Sequence, residues 1–238
     1  MLLDSILKPR AVAVVGASTR PHTIGSDLLK RLIEFGFKGG IYPVNPKGGE
    51  IEGLEAYKTI ADLPDDVDLA VIVVNASRVL EAVDQCHAKG IKGLVVISAG
   101  FKETGAEGAK LELELLERVR AHGMRMVGPN CLGVVNTNPE ISLDACFAES
   151  LPVAGDIGFV SQSGALGGGI LNILKDLNLG FAQFVSIGNQ ADVNAETALE
   201  YWENDPEVKQ ILLYMESIPD PVNFRRLASR ISKKKPVL

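Results

Sequence analysis

The sequence predicts an α/β protein of two doubly wound domains in succession, and three observations predict it. Short apolar runs rich in Val and Ile recur along the chain, each ended by a polar turn that often contains glycine. Most of these turns open a segment whose leucines and valines fall at helical spacing. The runs are apolar throughout and do not alternate, which marks parallel strands covered on both faces.

Taken in order, Ala11–Val15 reads as the first strand, ended by Gly16-Ala17-Ser18. A loop over Thr19–Thr23 leads to Ile24-Gly25, which open a helix with Leu28, Leu29, Leu32 and Ile33 on its apolar face and Gly36 at its end. Gly40–Val44 is the second strand, ended by Asn45-Pro46-Lys47. Asp68–Val74 is the third, ended by Asn75-Ala76-Ser77, and its helix turns Val79, Leu80 and Val83 inward and closes at Gly90. Gly93–Ile97 is the fourth, ended by Ser98-Ala99-Gly100, followed by a helix with Leu111, Leu115, Leu116 and Val119 on one face. Arg125–Val127 is the fifth, leading into Gly128–Gly133. In such sheets ligands bind beyond the carboxyl ends of the strands, so these turns would line one rim.

From Val134 to Gly155 both patterns lapse, and the stretch is expected to be a long connection. The expected division is therefore residues 1–133 and 134–238. In the second domain Asp156–Gln162 reads as a strand, Ala165–Leu177 as a helix and Phe181–Ile187 as a strand. Helix Ala195–Glu203 follows, with Trp202 as core, then strand Gln210–Met215 ending at Glu216, and helix Pro221–Ser232. Lys233-Lys234-Lys235 suits a solvated helix end. Lys235–Leu238 looks like the opening of another strand, so the second domain is expected to be truncated at the C-terminus.

Composition excludes several classes. The net charge of −6 and the 5% aromatic content argue against nucleic-acid binding. No apolar run approaches a membrane span, and no secretory signal opens the chain. Cys86, Cys131 and Cys146 are odd in number and widely spaced, which fits neither a disulfide frame nor a metal site and suggests a reducing cytoplasm.

Two turns carry candidate chemistry. Gly16 and Gly25 stand where a Rossmann fold binds pyrophosphate, but the Gly-x-Gly-x-x-Gly spacing is absent. After the second strand an NAD enzyme would want a carboxylate for the ribose diol; Lys47 suits a ribose phosphate instead, as in NADP or coenzyme A, or is a solvated loop lysine. The second turn is Ser161-Gln162-Ser163-Gly164, between a buried strand and a helix. The first N–H groups of a helix lack intrahelical acceptors and attract anions, so Ser161, Ser163, Gly164 and Ala165 would cradle a phosphate; an ordinary serine N-cap is the competing reading. His22 lies in the first loop, in reach of a phosphate or solvated, while His87 and His122 lie at helix ends and suit capping.

Four blocks in register then resemble one family. Val15–Ser18 with Ile24-Gly25, Asn45-Pro46-Lys47, Gly128-Pro129-Asn130-Cys131-Leu132-Gly133, and Gly158–Ala165 are similar to the corresponding blocks of the NDP-forming acyl-CoA synthetases, the superfamily of succinyl-CoA synthetase α subunits and ADP-forming acetate–CoA ligases. The resemblance implies a Rossmann-like CoA-binding domain followed by a flavodoxin-like doubly wound domain. It implies that Gly16, Ala17 and Ser18 face the phosphates of CoA, Lys47 its phosphoadenosine end, and Val74, Asn75, Ile97, Ser98 and Ala99 the rest, with Ile24 and Gly25 also among the CoA-binding residues. It further implies that Ser161, Ser163, Gly164 and Ala165, with Asn130 and Cys131 nearby, hold the phosphate of a phosphohistidine or acyl phosphate. Glu216 would orient that histidine, which matches no histidine of this chain. ATP or GTP with Mg would bind on an ATP-grasp domain or β-type subunit, in an oligomeric assembly, so this chain alone is expected not to turn over. A non-catalytic CoA-binding module of a protein acetyltransferase or regulatory protein is the alternative, and an NADP-dependent reductase a third, for which no hydride-handling residues are found.

Overall fold

The computed structural model of the protein describes residues 3–177 and 179–238. The first half runs α1 (Asp4–Leu7), β1 (Ala11–Val15), α2 (Ile24–Glu34), β2 (Gly40–Val44), a small hairpin of β3 (Glu50–Ile51) and β4 (Leu54–Glu55), β5 (Leu69–Ile72), α3 (Val79–Lys89), β6 (Gly93–Val96), α4 (Ala106–Ala121) and β7 (Arg125–Val127). The second runs β8 (Gly133–Asn136), β9 (Leu143–Cys146), β10 (Ala154–Ser161), α5 (Gly164–Asp176), β11 (Phe181–Ser186), α6 (Ala195–Trp202), β12 (Gln210–Tyr214) and α7 (Pro221–Ile231). Among the described residues no helix is long and apolar enough to cross a membrane.

The first sheet is parallel, in the order β2-β1-β5-β6-β7. All five residues of β1 are buried, because helices cover both faces. Val12 and Val14 look toward α1 and α2, in a hydrophobic layer that continues through Val134, Ala145 and Val185 of the second sheet. Ala11, Ala13 and Val15 look the other way, toward Val79, Val83, Leu115 and Val119 of α3 and α4. The second sheet is ordered β12-β10-β11-β8-β9, with β12, β10 and β11 parallel and β8 and β9 antiparallel. Helix starts follow their caps: Asn194 accepts from Thr197 N on α6, and Asp220 from Asn223 N on α7, with Pro221 opening that helix. Trp202 is fully buried as expected and donates from Nε1 to Gln183 Oε1 at 2.7 Å.

The main correction concerns residues 134–155, which are not a structureless connection. They hold β8, β9 and the start of β10, and so build the antiparallel edge of the second sheet. The signal was masked because all four residues of β9 are buried, Asp144 included, so no polar alternation marks the strand. Asp144 is met by a charge from the other half of the molecule: Arg31 Nη2 of α2 lies 2.7 Å from Asp144 Oδ2 and 2.6 Å from Ser150 O. The β3–β4 hairpin was also not anticipated. Ile33, expected on the apolar face of α2, is 40% exposed. Lys235 is not simply solvated; its Nζ donates to the carbonyls of Trp202 and Asp205, and Lys234 pairs with Glu203. His122 Nε2 lies 3.0 Å from Asp84 Oδ1 and its ring stacks on His87 at 3.9 Å, a side-chain pairing between α3 and α4.

One glycine is predicted to be improvable. A Cβ at Gly169 of α5 would meet nothing within 4 Å. Gly169→Ala is expected to raise stability by about 0.5–1 kcal/mol, through reduced freedom of the unfolded chain, in a denaturant titration.

Candidate functional site

The strand order of the first sheet reverses between β1 and β5, and a doubly wound sheet binds ligands at that point. A cavity of about 330 Å3 lies there, lined by Val15, Gly16, Val44, Pro46, Lys58, Thr59, Ile60, Val74, Arg78, Glu81, Ala82 and Gln85. Its walls are largely aliphatic and its polar edge carries the cations Lys58 and Arg78, a combination that suits a flat base beside a phosphate. Gly16 has φ +99°, and a Cβ there would press within 3.1 Å of the backbone of Val73. Gly25 lets the start of α2 sit directly on the Gly16 carbonyl, which a Cβ would strike. The turn is thus made by two glycines nine residues apart, in place of the usual fingerprint.

The residues around this rim divide between lining and bracing. Gly16 and Val74 line the cavity. Ala17 is buried, and its carbonyl accepts from Asn45 Nδ2 at 2.7 Å, tying the first two rim turns together. Asn45 Oδ1 in turn accepts from Lys47 N, leaving the Lys47 side chain exposed outside the lining. Ser18 Oγ accepts from Arg20 N, and Ile24 is 41% exposed at the mouth of α2. Asn75 caps the turn before α3 through Ser77 N. Ser98 is buried and donates to Val74 O at 2.5 Å, so its hydroxyl braces β5; Ile97 is buried beside it and Ala99 exposed.

A second cavity, of about 650 Å3, lies where the rims of the two sheets meet. The loops after β6 and β7 contribute Lys102, Glu103, Asn130, Cys131 and Leu132; the second sheet contributes Gln162, Ser163, Gly164, Ala165, Gly188, Asn189 and Glu216; Phe147 follows β9. The second sheet reverses its order between β10 and β12, and the turns after those strands, at Ser163 and Glu216, face this space. Gly188, φ +52°, is needed because a Cβ would collide with the carbonyl oxygens of Asn130 and Pro129.

Ser163 is the N-cap of α5, its Oγ accepting from Leu166 N at 3.3 Å. Gly164 and Ala165, the first two helical residues, line the cavity, and N–H groups at those positions have no intrahelical acceptor. The cap and the anion cradle are therefore compatible. Ser161 does not contribute a hydroxyl to the cavity: it is fully buried and donates to Ser163 O at 2.7 Å, shaping the turn from inside. Glu216 is exposed at the rim and its backbone is held by Gln162, whose Oε1 accepts from Glu216 N at 2.8 Å and Ser217 N at 3.0 Å. Cys131 lies in the cavity wall but is buried; its thiol donates to Val96 O, and burial pushes it up to about 12. His22 is exposed on the first loop, and His87 on α3 and His122 just after α4 lie away from the cavity lining.

Sequence reasoning missed the stitch between the rims. The Asn189 amide donates to Glu103 Oε2 at 2.6 Å and Glu112 Oε2 at 2.7 Å, and its oxygen accepts from Asn130 Nδ2 at 3.3 Å. Partial burial raises the Glu103 carboxyl, but the Asn189 amide and the Gly100 and Phe101 N–H groups outweigh it and hold it below the usual range. The available signal was Glu112, a charge in line with Gly108, Leu115 and Val119 on the buried face of α4. Lys58 and Arg78 gave no comparable signal, since each is an ordinary loop cation in the sequence.

Comparison with known proteins adds two family matches: the CoA binding domain over residues 10–137 and the succinyl-CoA ligase like flavodoxin domain over residues 154–238. Over the whole chain it is 43% identical to the acetate–CoA ligase (ADP-forming) I subunit alpha of Pyrococcus furiosus, 52% of which it covers. The crystal structure of PH0766 from Pyrococcus horikoshii OT3 superposes on 99% of the chain with TM-score 0.94 and 44% identity, over 53% of its own length. A dinucleotide forming acetyl-coenzyme A synthetase 1 of Ca. Korarchaeum cryptofilum, solved with phosphate and ADP, superposes on 100% of the chain with TM-score 0.93 and 41% identity, over 50% of its length. The chain thus spans about half the length of the relatives it matches.

Proposed function

Because the chain belongs to the NDP-forming acyl-CoA synthetase superfamily, with a CoA-binding domain followed by a succinyl-CoA ligase-like flavodoxin domain, we propose that it is the CoA-binding and phosphoryl-handling part of an acid–CoA ligase. The reaction joins a carboxylic acid to CoA at the expense of ATP or GTP, with NDP and phosphate as products, through an acyl phosphate and a phosphohistidine. The observation that carries this reading is the opening of the α5 N-terminus, at Ser163, Gly164 and Ala165, onto a cavity shared with Glu216 and with Asn130 of the other sheet.

The division of labour follows from the two cavities. The 3′-phospho-ADP end of CoA sits in the first, its phosphates on Gly16 and its ribose phosphate near Lys58 and Arg78, with Lys47 on the adjoining rim. The pantetheine arm runs past Ile97, Ser98 and Ala99 and brings the thiol to the second cavity. There the open N–H groups and dipole of α5 offset the charge of a phosphoryl group. Glu216, its backbone fixed by Gln162, accepts from one ring nitrogen of a histidine supplied by another part of the protein, which leaves the other nitrogen as nucleophile. The nucleotide and its Mg bind on an ATP-grasp domain or β-type subunit. The three cysteines are free and buried, which supports a reducing cytoplasm. The proposed division into functional units is 1–133 and 134–238, a reading supported by the passage of the chain from β7 of the first sheet to β8 of the second.

Calorimetric titration with CoA, dephospho-CoA and NADPH tests the first cavity. CoA is expected to bind in preference to NADPH and to weaken without its 3′-phosphate. Arg78→Ala and Lys58→Ala are each expected to weaken CoA about tenfold, the loss of one charge-assisted phosphate contact, and to leave dephospho-CoA nearly unaffected. A larger loss from Lys47→Ala would move the 3′-phosphate to the rim, and preferential NADPH binding would reject the CoA assignment.

A further inference from the structure

The cavity at the meeting of the two rims holds two carboxylates, Glu103 and Glu216, and one side-chain cation, Lys102. A phosphoryl group entering it carries close to two negative charges. The α5 N-terminus offers roughly half a positive charge, which does not balance those carboxylates and an incoming dianion. Lys102, although shared with Glu112, is the side-chain cation that lines this space, and the way it is held shows that its position is fixed.

Glu112 of α4 is buried, and a buried carboxylate is costly unless it is paired. Among the described residues its partners belong to this one cluster. Oε1 lies 3.4 Å from Lys102 Nζ, while Oε2 accepts from the backbone N–H of Lys102 at 3.3 Å and from the Asn189 amide at 2.7 Å. Lys102 Nζ also donates to the Asn189 carbonyl. The ammonium is therefore tethered to both sheets at once, yet the side chain is 45% exposed, and it lines the cavity.

We propose that Lys102 is a phosphoryl-binding residue of this cavity, facing the α5 N-terminus, with Glu112 and Asn189 as the positioning residues that hold its ammonium there. The inference rests on the reading of the second cavity given above and adds to it the cation that takes the phosphoryl oxygens. The ligand class is a phosphate dianion or an acyl phosphate.

The test is titration of the protein with inorganic phosphate by calorimetry, for wild type, Lys102→Gln, Lys102→Arg and Ser163→Asp, with CoA as the second titrant and a thermal melt for each variant. Lys102→Gln is expected to weaken phosphate at least tenfold while CoA binding stays within twofold. Lys102→Arg, which keeps the charge, should stay within about threefold of wild type. Should Lys102→Gln disturb folding, the arginine variant and the salt dependence of phosphate binding decide: a preserved charge must preserve affinity. If Lys102→Gln binds phosphate as wild type does while Ser163→Asp abolishes binding, Lys102 is only a strut between the rims and the proposal is overturned, with the reading of the cavity intact. If wild type binds CoA but no phosphate, that reading falls and the proposal with it.

Discussion

With alanine in place of Asp144, the protein is expected to lose about 3–5 kcal/mol of folding stability, because Arg31 is left as a buried charge without its partner. The pair joins α2 of the first sheet to β9 of the second, inside the layer shared by both. It is not an optimised pair, since Arg31 Nε finds no hydrogen-bond partner among the described residues. Replacing both residues by apolar ones of similar volume is therefore expected to cost far less than removing either alone. The pair also sets a pH dependence. Burial pushes the folded Asp144 carboxyl up to about 6 from its ordinary 3.8, against the pull of the Arg31 cation. A carboxyl raised on folding holds its proton more tightly in the folded state. Its contribution is thus most favourable below its unfolded value and is lost as pH rises through the folded value. In chemical denaturation the advantage of wild type over Asp144→Asn should shrink from pH 4 to pH 7; an advantage that grows over that range would contradict the assignment.

Gly25→Ala should strike both stability and ligand binding. The new Cβ would run into the Gly16 carbonyl oxygen and lie 3.2 Å from the Ala17 Cα, and neither backbone can rotate away as a side chain would. Either α2 lifts off the turn, disturbing the fully buried Leu28, Leu29 and Leu32, or the turn itself moves. Overpacking of this kind costs about 1–3 kcal/mol. Because Gly16 lines the first cavity, CoA affinity is expected to fall about tenfold or more, while phosphate binding at the second cavity changes little. A folded Gly25→Ala protein with wild-type CoA affinity would show that the turn does not carry the nucleotide.

Much of this molecule was legible before any coordinates. The apolar runs at Ala11–Val15, Leu69–Ile72 and Gly93–Val96 read as covered parallel strands, and the polar turns after them as a rim. That is local chemistry: period, turn residues and caps are written within a few positions of one another. The same holds for Ser163 and Gly164, whose place between a strand and a helix already exposes amide donors, and for Glu216 at a strand end. What lay beyond the sequence were the meetings of distant segments. Glu112 and Asn189 are 77 residues apart, and Arg31 is paired through a strand, β9, that its buried charge had disguised. Ser161, which looked like a ligand donor, turns inward because the strand buries its face, and the cations that line the first cavity are Lys58 and Arg78, with the expected Lys47 outside the lining. Spacing along a chain fixes which groups lie at the ends of strands; only the packing of one sheet against the other decides which of those groups share a cavity, since burial and charge pairing depend on neighbours that sequence distance does not encode.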